Sequence, residues 1–296
     1  MLSKNKGLFK EASSSKYLPN IFFAVLLTFG FLLGGQTLGL FIIYFFISSI
    51  SSVAIESLML LIFQFLFISL FVFLWVKKVE KRSISSLGLK GRDFFAKFST
   101  GFIFGCLLFS LVVGLLYLLG NAVIETKSLY PTGLSALTGI LIILPGWIVQ
   151  GSTEEILTRG WFMNVLGARY NAYLALIVSS SLFGFLHLAN NGVTILSVIN
   201  IILVGLLLGL YMIKTDDLWG ACGFHAAWNW VQGNIYGLEV SGNQSGAGSL
   251  INLKLVGSEI FTGGNFGPEG SIACTLALSL GIIVMVILIL RDKRSY

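Results

Sequence analysis

The chain alternates long apolar runs with short charged segments, and the runs are repeatedly long enough to cross a lipid bilayer. A helical crossing takes about 20 apolar residues. With lipid as solvent, each crossing segment must satisfy its own backbone hydrogen bonds, which favours helices. Of the 296 residues, 56% are hydrophobic and only 11% charged, too little polarity to coat a water-soluble fold of this length. The expected fold class is all-α, a polytopic transmembrane helix bundle of about eight spans. These spans fall near residues 20–46, 53–76, 99–121, 134–157, 171–189, 194–213, 218–237 and 271–290, in a single integral membrane domain over 1–296. Between the fifth and sixth runs "LANNGV" leaves room for only a short turn, and polar residues interrupt the fifth to seventh. A re-entrant segment is the alternative to full spans in that region.

The first run begins near Ile21 and passes signal-peptide length without a small-residue cleavage site, so it reads as a retained span. Orientation follows the lysines and arginines, which favour the cytoplasmic side. With the N-terminus inside, all of the 19 except Lys127, Lys254 and Arg159 fall in cytoplasmic segments, and both termini are expected in the cytoplasm. The net charge of +6 is explained by this distribution rather than by a nucleic-acid partner. Cys106, Cys222 and Cys274 all lie within expected spans, where cysteine serves as a small apolar side chain and implies no disulfide framework. The 77–98 loop mixes basic residues with Phe94, Phe95 and Phe98. It suits a segment lying on the inner membrane surface as well as it suits a plain loop. The external 238–270 segment, rich in Gly, Ser and Asn, reads as an ordered or partly ordered loop rather than a domain.

Ionisable side chains within the bilayer are costly, by roughly 2.5–3.5 kcal/mol each on insertion scales, and mark functional sites. Here they are Glu154, Glu155, Arg159, His187 and His225, with Asn229 as a polar companion. Glu155 and Arg159 are four apart on one helix face and are expected to pair. Adjacent residues point about 100° apart, so Glu154 is left without an obvious local partner. A carboxylate in apolar surroundings is suited to general-base chemistry. Phe183 and His187 in "FGFLH", and His225 and Asn229 in "HAAWN", also stand one turn apart. If "GARYN" marks a turn, Glu154 and His187 lie roughly 18 and 24 Å from it along antiparallel helices, at comparable depth. A lone membrane histidine often makes only a packing hydrogen bond. Four such groups at similar depth on three helices are better explained as a site.

In order, "EEILTR", "FGFLH" and "HAAWN" resemble the EExxxR, FxxxH and HxxxN motifs of the CPBP family of intramembrane proteases, which includes the CAAX endopeptidases. The motif-bearing core spans residues 134–232. The external "FTGGNFGPEGS" is also similar to a segment common in bacterial members, which points to a bacterial plasma membrane. The resemblance implies that Glu154 and His187 hold and activate a water, and that His225 and Asn229 stabilise the oxyanion. It assigns Glu155 and Arg159 a supporting role. The implied activity is peptide-bond hydrolysis in a membrane-associated or lipidated peptide, with the bilayer as the other partner. The same set could form a His2Glu zinc site from Glu154, His187 and His225, but no HExxH is present. Metal-free catalysis is the expectation, with zinc as the alternative. Two other function classes stay open: a scaffold or bacteriocin-immunity protein of the same family, and a proton-coupled transporter, which a lack of inverted-repeat hydropathy disfavours.

Overall fold

A computed structural model describes residues 6–292. Lys4, Lys293 and Arg294, which entered the charge balance, lie outside the described residues. The all-α class holds. After a short helix α1 (Gly7–Ser13) come three long apolar helices: α2 (Ile21–Ile47), α3 (Val53–Trp75) and α4 (Phe94–Leu118). A short strand β1 (Ala122–Ile124) leads to α5 (Leu137–Glu155), which runs on through a π-wound segment, Ile156–Met163, into α6 (Asn164–Arg169). Then follow α7 (Ala172–Leu186), α8 (Ile195–Thr215), α9 (Trp219–Trp230), β2 (Leu253–Leu255), the four-residue α10 (Glu259–Thr262) and α11 (Ile272–Asp292). The two strands pair antiparallel, with Val123 opposite Lys254.

Local chemistry sets the ends of these helices. The Asn20 and Asn171 side chains accept from the Phe23 and Leu174 amides, and Thr194 and Ser197 form a reciprocal capping box ahead of α8. Such caps satisfy amides that the first turn leaves unpaired. The turn expected at "GARYN" is where α6 ends and α7 begins. The expected fourth span, 134–157, is corrected in length: the helix continues to Arg169, and the continuous helical stretch Gly133–Arg169 covers 37 residues. Its charged motif therefore sits well inside the stretch rather than at its end.

Six helices among the described residues are long and apolar enough to cross a membrane, counting this stretch as one. Two of the eight expected spans correspond to shorter pieces. These are α7, with 15 residues, and α9, with 12 and a further π turn to Ile235. Both carry site residues. Helix α9 packs against α4 and α5, and its residues from Gly220 to Asn229 are almost all buried. A helix enclosed by protein need not match bilayer thickness. The long helices, by contrast, expose large apolar side chains such as Phe22, Tyr44, Phe104 and Leu118, as a lipid-facing surface requires.

The segment between α3 and α4 is more than a loop on a surface. Glu80 is fully buried and accepts from the Trp75 indole at 3.0 Å, the Trp161 indole at 2.6 Å and Arg82 Nε at 2.5 Å. This polar knot ties the segment to the π-wound part of the motif helix. Phe94 and Phe95 are exposed at the start of α4, while Phe98 stacks on Phe102. The 238–270 segment is anchored by buried Glu269. Its carboxylate accepts from the Trp228 indole at 2.8 Å and from the Ser241 amide and hydroxyl at 2.8 Å each.

Candidate active site

The central polar site is built where α5 and α9 cross. Gly151 makes the close approach possible: a Cβ there would stand 2.8 Å from the Ala226 amide nitrogen. One turn on, α5 presents Glu154 and Glu155 to His225. The expected ion pair is present, with Arg159 Nη1 2.9 Å from Glu155 Oε1 and both side chains essentially inaccessible. The same Glu155 oxygen lies 2.9 Å from His225 Nδ1. Glu155 thus compensates Arg159 and orients His225 with one carboxylate.

His187 ends α7, and its Nδ1 lies 2.8 Å from the Phe183 carbonyl. A carbonyl only accepts, so Nδ1 carries the proton and Nε2 of the neutral ring is an acceptor. His225 follows the same logic: Nδ1 donates to Glu155, leaving Nε2 as its free atom. That Nε2 is 3.7 Å from Glu154 Oε2, which has no hydrogen-bond partner in the protein although buried. Phe183 joins these groups. The Arg159 guanidinium lies 4.1 Å above its ring, and the His187 and His225 rings meet it edge-on at 4.8 and 6.0 Å.

Glu154, His187, His225 and Asn229 all line one cavity of about 810 Å³ between α2, α3, α5, α7, α9 and residues 240–245. Its walls mix apolar side chains such as Leu32, Leu61 and Phe65 with the polar Gln36, Ser57 and Gln64. Glu155 and Arg159 are absent from the lining.

Two features escaped sequence reasoning. Glu154 does have a local partner: Gln150, one turn earlier, donates Nε2 to Glu154 Oε1 at 2.6 Å and accepts from Asn229 Nδ2 at 2.7 Å. The spacing QxxxE is the signal for this contact, but Gln150 carries no charge and does not stand out among ionisable groups. The second is Thr158, whose hydroxyl donates to the Glu154 carbonyl and receives Arg159 Nη1 at 2.8 Å.

For zinc, the free Nε2 atoms and a carboxylate are the right donor chemistry, and each histidine has its other nitrogen held as a metal site requires. Their spacing does not follow. Among the described residues no three His, Cys, Asp or Glu side chains stand close enough to hold an ion.

Fold and composition together define the class: an all-helical, multi-pass membrane protein. Residues 136–231, from the start of α5 to the end of α9, match the family described as Type II CAAX prenyl endopeptidase Rce1-like. That match agrees with the CPBP intramembrane proteases and covers Gln150, Glu154, Glu155, Thr158, Arg159, Phe183, His187, His225 and Asn229. No curated protein and no solved structure matches the chain.

Proposed function

We propose that the protein is an intramembrane endopeptidase that cleaves a membrane-associated or lipidated peptide by direct attack of water. The observation that carries this reading is the convergence of Glu154, His187, His225 and Asn229 on one cavity among the helices. In the reaction, Glu154 takes a proton from a water whose other hydrogen is held by His187 Nε2. The water oxygen adds to the scissile carbonyl carbon, and the negative charge moves to the carbonyl oxygen. His225, protonated at Nε2, and the second N–H of Asn229 donate to that oxyanion. Glu154 then returns its proton to the departing amine as the C–N bond breaks, so no group on the protein is consumed.

The sequence match supports the protease class and the cavity supports the assignment of roles. Catalysis is proposed to be metal-free. Glu154→Ala and His187→Ala should each abolish cleavage while the protein stays folded in detergent. Mass spectrometry of membrane peptides from cells with active or Glu154→Ala protein would identify the substrate. Full biological activity of Glu154→Ala would overturn the protease reading in favour of a binding role. Stoichiometric zinc in active enzyme would overturn the metal-free mechanism alone.

A further inference from the structure

Helices α2 and α3 touch closely at one end and part at the other. A Cβ on Gly39 would stand 1.8 Å from the Phe63 carbonyl oxygen, on Gly35 2.6 Å from Ile68, and on Gly34 3.2 Å from Phe71. On Gly30, one turn further, it would meet nothing within 4 Å. Packing therefore explains three of these glycines and leaves the fourth without a reason, although glycine is a poorer helix former than alanine.

Where the helices part there is a groove of about 670 Å³, walled by Leu26, Gly30, Phe31, Phe71 and Leu74 and ending at Lys78. Its rim is exposed, with Leu26 and Leu74 each about half accessible. Lys78 makes no hydrogen bond or ion pair among the described residues. The nearby Glu80 carboxylate is already committed to Trp75, Trp161 and Arg82. An apolar trough about 10 Å long, from Phe71 to Lys78 at helical rise, thus ends in one free cation.

We propose that this groove binds an anionic phospholipid, with an acyl chain laid over Gly30 and the headgroup phosphate on Lys78. Gly30 is then small because the chain passes there. The charge at the end of the trough selects an anionic headgroup over a zwitterionic one. The site lies on the outer face of α2 and α3, and its residues differ from those of the proposed catalytic site.

The test is native mass spectrometry of the detergent-purified full chain with equal amounts of phosphatidylglycerol and phosphatidylcholine of matched acyl chains. The expected preference for phosphatidylglycerol is about fivefold, what one lysine contributes to anionic-lipid binding. Lys78→Gln should bring the ratio close to one. Gly30→Phe should lower the phosphatidylglycerol adduct without changing any charge, and Lys254→Gln in β2 should leave it unchanged. Elution volume and circular dichroism check folding, with Gly30→Leu as the substitute if Gly30→Phe fails. A native ratio near one means annular lipid only and overturns the proposal. A preference removed by Lys78→Gln but untouched by filling the groove would be surface attraction, which overturns it equally.

Discussion

Gln150 holds the site's carboxylate and its amide in one register, since its two polar atoms are spent on Glu154 and Asn229. Gln150→Ala removes both bonds at once. At roughly 0.5–1.5 kcal/mol per neutral bond and more where an ion takes part, activity should fall about 10- to 100-fold. The loss should appear in kcat with KM nearly unchanged, measured on the substrate that mass spectrometry identifies. Glu155 and Glu154 should differ in the size of their effect on stability. Glu155→Leu leaves the Arg159 guanidinium buried without its carboxylate, which costs about 3–5 kcal/mol. Glu154→Ala removes a side chain that lines the cavity and leaves no buried cation unpaired. Thermal unfolding in detergent should therefore show a large fall for Glu155→Leu and a small one for Glu154→Ala, while both lose activity. Similar melting temperatures for the two would refute this division of labour. The i, i+4 pairing of Glu155 with Arg159 was legible from spacing alone. The attachment of His225 to Glu155 was not, because it joins residues 70 apart in sequence.

At the scale of elements, the helix that carries "EEILTR" changes its winding just after the two glutamates, at Ile156–Met163. π-Winding of this kind is frequent at functional sites. The shift in phase lets Thr158 and Arg159 turn to α7, where Ser179 donates to the Thr158 carbonyl and Arg159 covers Phe183. No apolar periodicity announces such a change. The small helix α1 was equally hidden, since its sequence reads only as a basic tail. It docks through buried Leu8 and Phe9, the latter against Gly167 of α6. Asp216, in the left-handed conformation that ends α8, accepts from the Leu8 amide at 2.8 Å and pairs with Lys90 at 2.7 Å. Lys90 loses some affinity for its proton through burial, but Asp216 and Glu11 outweigh this and hold it above the usual lysine range. A raised lysine contributes stability below its unfolded value and loses it only as pH rises through the folded one, so the clasp is intact at neutral pH. Asp216→Ala should release α1, seen as about tenfold faster hydrogen exchange over residues 7–13, the effect of one hydrogen bond and one partly exposed pair. Unchanged exchange would mean that Leu8 and Phe9 hold α1 unaided.

For the molecule as a whole, the apolar runs made the bundle legible because lipid leaves a chain few alternatives. The span count was harder to read. Helix α9 owes its position to enclosure by its neighbours, which hydropathy does not register, whereas the short α7 keeps Tyr173, Ile177 and Phe185 exposed, and the Glu80 and Glu269 anchors depend on partners distant in sequence. Orientation follows from charge and can be put to a direct test. Three long helices, α2, α3 and α4, separate Ser13 in α1 from Ser128 in the loop after β1. If each crosses once with the lysine-rich side inward, the two serines lie on opposite faces of the membrane. Both are exposed, whereas Cys222 and Cys274 are buried and Cys106 is partly covered within α4, so background labelling should be low. Ser128→Cys should react with a membrane-impermeant maleimide on intact cells, and Ser13→Cys only after lysis. The reverse pattern would invert the topology and place the 77–98 segment outside. Labelling of both from one side would mean that one of the three helices does not cross, and the bundle's spans would have to be counted again from that helix onward.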